Sequence, residues 1–198
     1  VKVTGVIQAG GRSTRMGGEP KALLPLGGRR IIERVVDVLG GVLDDLLVVT
    51  NTPDRYAFLG LPMVADAFVD GGALGGIYTG LRAAGDEAVF TVACDMPFLH
   101  PAIVRMVVDR AGEGDVVIPR VGDQLETMHA VYGKACLDPM EARLRAGRLK
   151  IVEFFPDVRV VELDVTPMAR HRAPEVAFMN VNTPAELARA RALVAELG

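Results

Sequence analysis

The chain has 198 residues, half of them hydrophobic and 24% charged, which excludes a disordered chain and is enough to bury a core without disulfides or a structural metal. Lys and Arg number 22 against 25 Asp and Glu, a net charge of −3 that argues against a broad binder of nucleic-acid backbone. Two cysteines without metal or framework spacing, and no apolar run near the ~18 residues of a membrane span, lead to the expectation of a cytoplasmic protein with no membrane segment, built as one domain over residues 1–198.

Val3–Ala9 is a short, nearly continuous apolar run, as expected of a strand buried on both faces of a parallel sheet. It leads into Ala9-Gly10-Gly11-Arg12-Ser13-Thr14-Arg15-Met16-Gly17-Gly18, with Lys21 three residues beyond. Glycines let backbone N–H groups converge on an anion, and Arg12, Arg15 and Lys21 add positive charge, so the segment reads as a phosphate-binding loop. Its spacing fits neither G-x-G-x-x-G nor G-x-x-x-x-G-K-[ST], which disfavours a dinucleotide fold and a P-loop. Ile31, Ile32, Val35, Val36 and Leu39 then form one helical stripe. Leu46–Thr50 and the short Met63–Ala65 run are the next apolar segments, and each is followed by a polar residue, Asn51 and Asp66.

Gly71-Gly72-Ala73-Leu74-Gly75-Gly76-Ile77 opens a helix through Leu81 and Ala84; its small residues suit either close helix–sheet packing or a base or ribose lying against backbone. Ala88–Cys94 is another strand, ending in Asp95. A carboxylate at the carboxyl end of a buried strand lies where open α/β sheets hold their ligands, and there it suits a Mg²⁺ shared with nucleotide phosphates. Pro101–Asp109 reads as a helix and Val116–Pro119 as a strand. From about Arg120 to Val165 the pattern becomes mixed, and His129–Tyr132 and Val158–Val165 are expected as antiparallel edge strands with a helix near Pro139–Arg145 between them. Thr183-Pro184-Ala185-Glu186 is a capping box opening a last helix. The alternation predicts an α/β fold, a doubly wound and mostly parallel sheet with a small antiparallel insertion.

The ordered set of the glycine–arginine loop with Lys21, Ala73-Leu74-Gly75-Gly76-Ile77, Cys94-Asp95-Met96-Pro97-Phe98 and Asn180-Val181-Asn182-Thr183-Pro184 resembles the molybdenum cofactor guanylyltransferases, within the wider nucleotidyltransferase superfamily. The likeness runs from about Val3 to Leu193. It implies a Rossmann-like nucleotidyltransferase that moves GMP from GTP to the terminal phosphate of molybdopterin and releases pyrophosphate, with Mg²⁺ as cofactor. Gln8, Ala9, Gly10 and Gly11 would line the GTP, and Lys21 would meet its phosphates. Asn51, Asp66 and Gly75 would contact the nucleotide, Asp95 would hold the metal, and Asn180 and Asn182 would lie toward the pterin. Arg15, Lys21 and Asp95 form the expected catalytic set. GTP and molybdopterin are the implied partners, with transient contacts to other proteins of cofactor biosynthesis; a monomer or weak oligomer is expected.

Three positions depart from the family pattern: Gln8 where Leu is usual, Pro20 where Asp is common, and Ala73 where Pro is usual. Transfer of CMP to the same pterin, transfer of another nucleotide to a sugar phosphate, and a non-catalytic nucleotide-binding module therefore stand as alternatives. His100, His129 and His171 are scattered and read as structural or surface residues. Cys94 reads as a core residue, and the basic stretch Arg143, Arg145, Arg148 and Lys150 as a solvated face with some attraction for a phosphorylated substrate.

Overall fold

Side-chain alternation along each apolar run sorts residues to the two faces of a central sheet in the computed structural model, which describes residues 1–10 and 20–197. The first half of the chain forms β1 (Val3–Gln8), β2 (Pro25–Leu26), β3 (Arg29–Arg30), α1 (Ile31–Gly40), β4 (Leu46–Val49), β5 (Met63–Val64), α2 (Gly72–Ala83) and β6 (Ala88–Ala93). The second half adds α3 (Pro101–Val108), β7 (Val116–Val121), β8 (Gln124–Leu125), β9 (His129–Gly133), α4 (Leu137–Arg145), β10 (Val160–Asp164), α5 (Pro174–Ala177) and α6 (Pro184–Leu197). The sheet runs β10-β7-β9-β6-β1-β4-β5, with β8 against β7 and β2–β3 as a separate hairpin. The β5-β4-β1-β6 half is entirely parallel.

On one face Ile7, Val48, Phe90 and Val117 pack against Ile32, Val35 and Leu39 of α1 and Ile103, Val104 and Val107 of α3. On the other, Val6, Leu47, Val49 and Val89 meet Leu74, Ile77 and Leu81 of α2 and Met140 and Leu144 of α4. Removing each such side chain from water contributes roughly 1.5–3 kcal/mol, so the alternation fixes both layers. A smaller cluster of Leu26, Ile31, Phe98, Val181 and Leu187 ties α6 to the β2–β3 hairpin and to the loop after β6. α2 lies unusually close to β1. A Cβ on Gly80 would strike Val6, and one on Gly76 would collide with the Gln8 amide.

Two expectations for the 120–165 region are corrected. The strand expected at Val158–Val165 is Val160–Asp164, and it runs parallel to β7 with Val160 beside Val116. The strand at 129–133 is antiparallel but not at an edge, since it pairs with β6 on one side and β7 on the other. Hydrophobic pattern records the face a residue occupies but not the direction of its strand. Direction is set by the connections, here a tight return after β7 and a connection through α4 that leaves β9 and enters β10 at the same edge of the sheet, Gly133 and Arg159 both bonding to the Asp115 backbone. The β2–β3 hairpin, β8 and α5 are too short for a periodic signal.

Candidate functional site

The parallel registers bring four loops to one line. Gln8 aligns with Val49 of β4 and with Ala93 of β6, and Val49 aligns with Val64 of β5. Two residues beyond this row, at the carboxyl edge of the sheet, stand Gly10, Asn51, Asp66 and Asp95. Counting along strands of equal register therefore places all four at the same height, where the chain leaves β-structure and its polar groups no longer serve the sheet. They line one cleft of about 700 Å³, together with Gln8, Ala9 and the amino end of α2 at Gly71–Ala73. The cleft sits where strand order reverses about β1, the position at which open α/β sheets take ligands.

Asn51 and Asp66 hold each other reciprocally. The Asn51 Nδ2 donates to Asp66 Oδ2 at 3.0 Å, and the Asp66 backbone N–H donates to Asn51 Oδ1 at 2.9 Å. Burial pushes the Asp66 carboxyl above its ordinary pKa, and the Asn51 bond opposes that shift. The Gln8 Nε2 donates to the Ala73 carbonyl at 3.2 Å and to Thr91 Oγ1 at 3.3 Å, bracing β1 against the first turn of α2. That turn carries helix N–H groups without intrahelical partners, and the positive end of the helix dipole, to the rim of the cleft.

Asp95 forms the opposite wall. Its Oδ1 is buried and accepts no hydrogen bond among the described residues. Burial raises its pKa, and the positive charge of Lys21 pulls it back down. A buried, unpartnered carboxylate oxygen is costly unless something meets it. Lys21 begins a short helical turn, and its Nζ donates to Asn182 Oδ1 at 2.8 Å. The Val181 N–H donates to the Asp95 carbonyl at 2.9 Å, so the segment before α6 reaches both the lysine and the carboxylate loop.

The sequence-predicted residues divide clearly. Gln8, Ala9, Gly10, Asn51, Asp66 and Asp95 share the cleft. Lys21 and Asn182 meet each other beside it. Gly75 does not line it; a Cβ there would approach Phe68 and Leu144, whereas its neighbour Gly76 is on the cleft side. Asn180 is exposed and away from the cleft lining. Gly11, Arg12 and Arg15 lie outside the described residues. Asp70 and Met128 also line the cleft. The Gly71-Gly72 pair is a signal for the turn that holds Asp70, at φ 57°, but nothing in the sequence marks Met128.

Other candidate groups are closed by their neighbours, including Cys94, which itself borders the cleft. The Cys94 thiol is pushed up to about 12 by burial and by the adjacent Asp95, which leaves it unreactive. His129 is fully buried, T-shaped against both Phe90 and Phe178, and its pKa is held down to about 3 by burial. Arg143, Arg145 and Arg148 pair with Asp157, Glu141 and Glu153. The attraction for a phosphorylated substrate expected of this stretch thus meets arginines already engaged by carboxylates. Among the described residues there is no group of three or more His, Cys, Asp or Glu able to hold a metal, and no helix long and apolar enough to cross a membrane.

Comparison with known proteins agrees with this geometry. The chain is 40% identical over 193 residues to the probable molybdenum cofactor guanylyltransferase of Pelotomaculum thermopropionicum, covering 98% of this chain and 94% of that protein. It is 38% identical over 193 residues to the molybdenum cofactor guanylyltransferase of Desulfosudis oleivorans, covering 97% and 96%. The solved structure of molybdopterin-guanine dinucleotide biosynthesis protein A from Archaeoglobus fulgidus superimposes with a TM-score of 0.82 at 25% identity, over 98% of this chain and all of that one. Residues 5–158 match the family described as the MobA-like NTP transferase domain, and with these relatives they show that the chain belongs to the MobA-like nucleotidyltransferases.

Proposed function

We propose that the protein is a Mg²⁺-dependent GTP:molybdopterin guanylyltransferase. The observation that carries the reading is the line of Gly10, Asn51, Asp66 and Asp95 around one cleft, with a buried unpartnered carboxylate oxygen next to Lys21. The names of the relatives, at 38–40% identity over nearly the whole chain, support the choice of substrates. Free Cys94 and Cys136 suit a cytosolic enzyme.

The Asp95 oxygen fits a hard divalent cation that takes its remaining ligands from substrate oxygens and water, which agrees with the lack of a larger ligand cluster among the described residues. Such an ion would supply charge neutralisation on the triphosphate. The chain's own residues do the rest. The Gly10 backbone and the amino end of α2 offer N–H groups to the triphosphate, and Lys21 places positive charge on the pyrophosphate side. The Asn51-fixed carboxylate of Asp66 is an acceptor pair suited to the adjacent N1–H and amino donors of guanine. An oxygen of the pterin's terminal phosphate forms a bond to the α-phosphorus of GTP as the α–β bridging bond breaks, and pyrophosphate leaves with the electron pair. The attacking phosphate is already ionised near neutral pH, so the reaction needs alignment and electrostatic stabilisation but no general base.

Transfer of a cytidylyl group is the second reading, because Gln8 and Pro20 depart from the family pattern. The Gln8 amide donors engage Ala73 and Thr91, which favours a bracing role over reading a base. Thermal shifts with GTP, CTP, UTP and ATP, each with Mg²⁺, separate the two. At a concentration one hundred times Kd, the selected nucleotide raises the melting temperature by roughly 5–10 °C, and the others by much less. A larger shift with CTP than with GTP would replace guanine by cytosine.

A further inference from the structure

We infer that Asn182 is a positioning residue that holds Lys21 in place for the triphosphate and does not act as a contact for the second substrate. The inference rests on the nucleotidyl-transfer reading above. The segment before α6 is rigid for identifiable reasons. Val181 is fully buried among Leu26, Ile31, Phe98 and Leu187, and its N–H is fixed on the Asp95 carbonyl at 2.9 Å. The next two backbone N–H groups, of Asn182 and Thr183, both donate to Glu186 Oε2, at 2.7 and 2.8 Å. The Glu186 N–H returns a bond to Thr183 Oγ1 at 3.2 Å. These bonds lower the Glu186 carboxyl below its ordinary range, the Asn182 N–H contributing most, so the carboxylate stays charged and the cap stays closed.

A backbone anchored on both sides presents the Asn182 side chain in one direction, and its Oδ1 accepts from Lys21 Nζ at 2.8 Å. A lysine has four freely rotating bonds, and ligand binding that must fix them alone gives up that rotamer freedom. An amide oxygen fixes the ammonium without cancelling its charge, whereas a carboxylate in the same place would neutralise it. The segment also docks on the Asp95 turn, so one tripeptide sets the spacing between the cation and the metal-binding carboxylate. The sequence pattern alone groups Asn182 with Asn180, yet Asn180 is exposed and lies outside this set of bonds.

The test is a double-mutant cycle on binding of GTP with Mg²⁺, measured by calorimetry without the pterin, using Asn182→Ala and the similar-sized Asn182→Leu, each with and without Lys21→Ala. Each Asn182 variant should weaken binding about tenfold alone and less than twofold once Lys21 is gone. Melting temperatures should stay within about 3 °C of wild type, and KM for the pterin should not change. Equal losses in both backgrounds, an intact GTP affinity with a raised pterin KM, or a larger melting drop in both variants would each overturn the positioning role. Failure of the unmodified protein to bind GTP would instead overturn the nucleotide reading on which it rests.

Discussion

Among the described residues, the two halves of the sheet each hold one polar side chain with buried, unpartnered atoms, and they differ in what lies across from it. In the β5-β4-β1-β6 half the group is Asp95, whose lone oxygen borders a cleft shared with Asn51, Asp66 and the glycine-lined end of α2. In the β9-β7-β10 half it is His129, whose two ring nitrogens are unpartnered and whose ring packs T-shaped against Phe90 and Phe178. Charge follows the same division. Lys21 lies close enough to Asp95 to lower its pKa, while Arg120, Arg143 and Arg148 each pair with a carboxylate at the surface. Burial of a polar group therefore marks a site only where open space and other polar groups meet it; surrounded by hydrocarbon, the same burial is simply a cost.

The largest expected effect lies at Asp95. Asp95→Asn should lower the transfer rate by 10²–10³-fold and also raise the melting temperature of the ligand-free protein at neutral pH. Its folded pKa lies above the unfolded value, so the charged form destabilises the fold, fully so above the raised pKa. The advantage of the variant should shrink as pH falls through the folded pKa, and it should vanish below the unfolded one. Melting curves of both proteins between pH 3 and 8 would check this, and an equal gap throughout would contradict it.

His129 has the opposite sign. Its folded pKa of about 3 lies below the ordinary value of 6.5, so between these values the unfolded chain binds the extra proton. Its contribution is complete above about pH 6.5 and is lost progressively on acidification, the loss reaching roughly several kcal/mol by pH 3. His129→Phe should flatten this part of the acid-unfolding profile and leave turnover near pH 7.5 within about twofold of wild type. Loss of turnover there would move His129 into the site.

Gly76→Ala tests the brace between β1 and α2 in the polar half. The added methyl group must displace the Gln8 amide and break its bonds to Ala73 and Thr91, costing about 1–3 kcal/mol of stability in urea titrations and weakening GTP binding. The smallest effect is expected at Arg148→Ala, which removes an exposed ion pair to Glu153: less than about 1 kcal/mol, with turnover unchanged. A raised pterin KM in that variant would bring the basic stretch back as a substrate surface.

Much of this division is legible in the sequence, for a physical reason. Parallel strands buried on both faces leave continuous apolar runs, and the residue that ends each run is the one that leaves the sheet; Asn51, Asp66 and Asp95 are found in this way. The layers could be read from the stripe Ile31, Ile32, Val35 and Leu39, because burial acts on every residue of it. What escaped reading depends on partners far along the chain. Nothing near Gly75 and Gly76 tells which of the two faces the cleft, since the answer lies in Gln8 and Phe68. The direction of Val160–Asp164 follows from which sheet edge its connection returns to, and the bond from Lys21 to Asn182 joins residues 161 positions apart.

The central claim is that the polar half of the sheet edge aligns GTP with a phosphorylated pterin. Its most direct test is incubation of the protein with molybdopterin, Mg²⁺ and GTP labelled at the α-phosphate. The account predicts label in the pterin dinucleotide, one pyrophosphate released per transfer, and loss of both in Asp95→Asn. Transfer that persists undiminished without the Asp95 carboxylate, or no transfer from GTP by the unmodified protein, would contradict it.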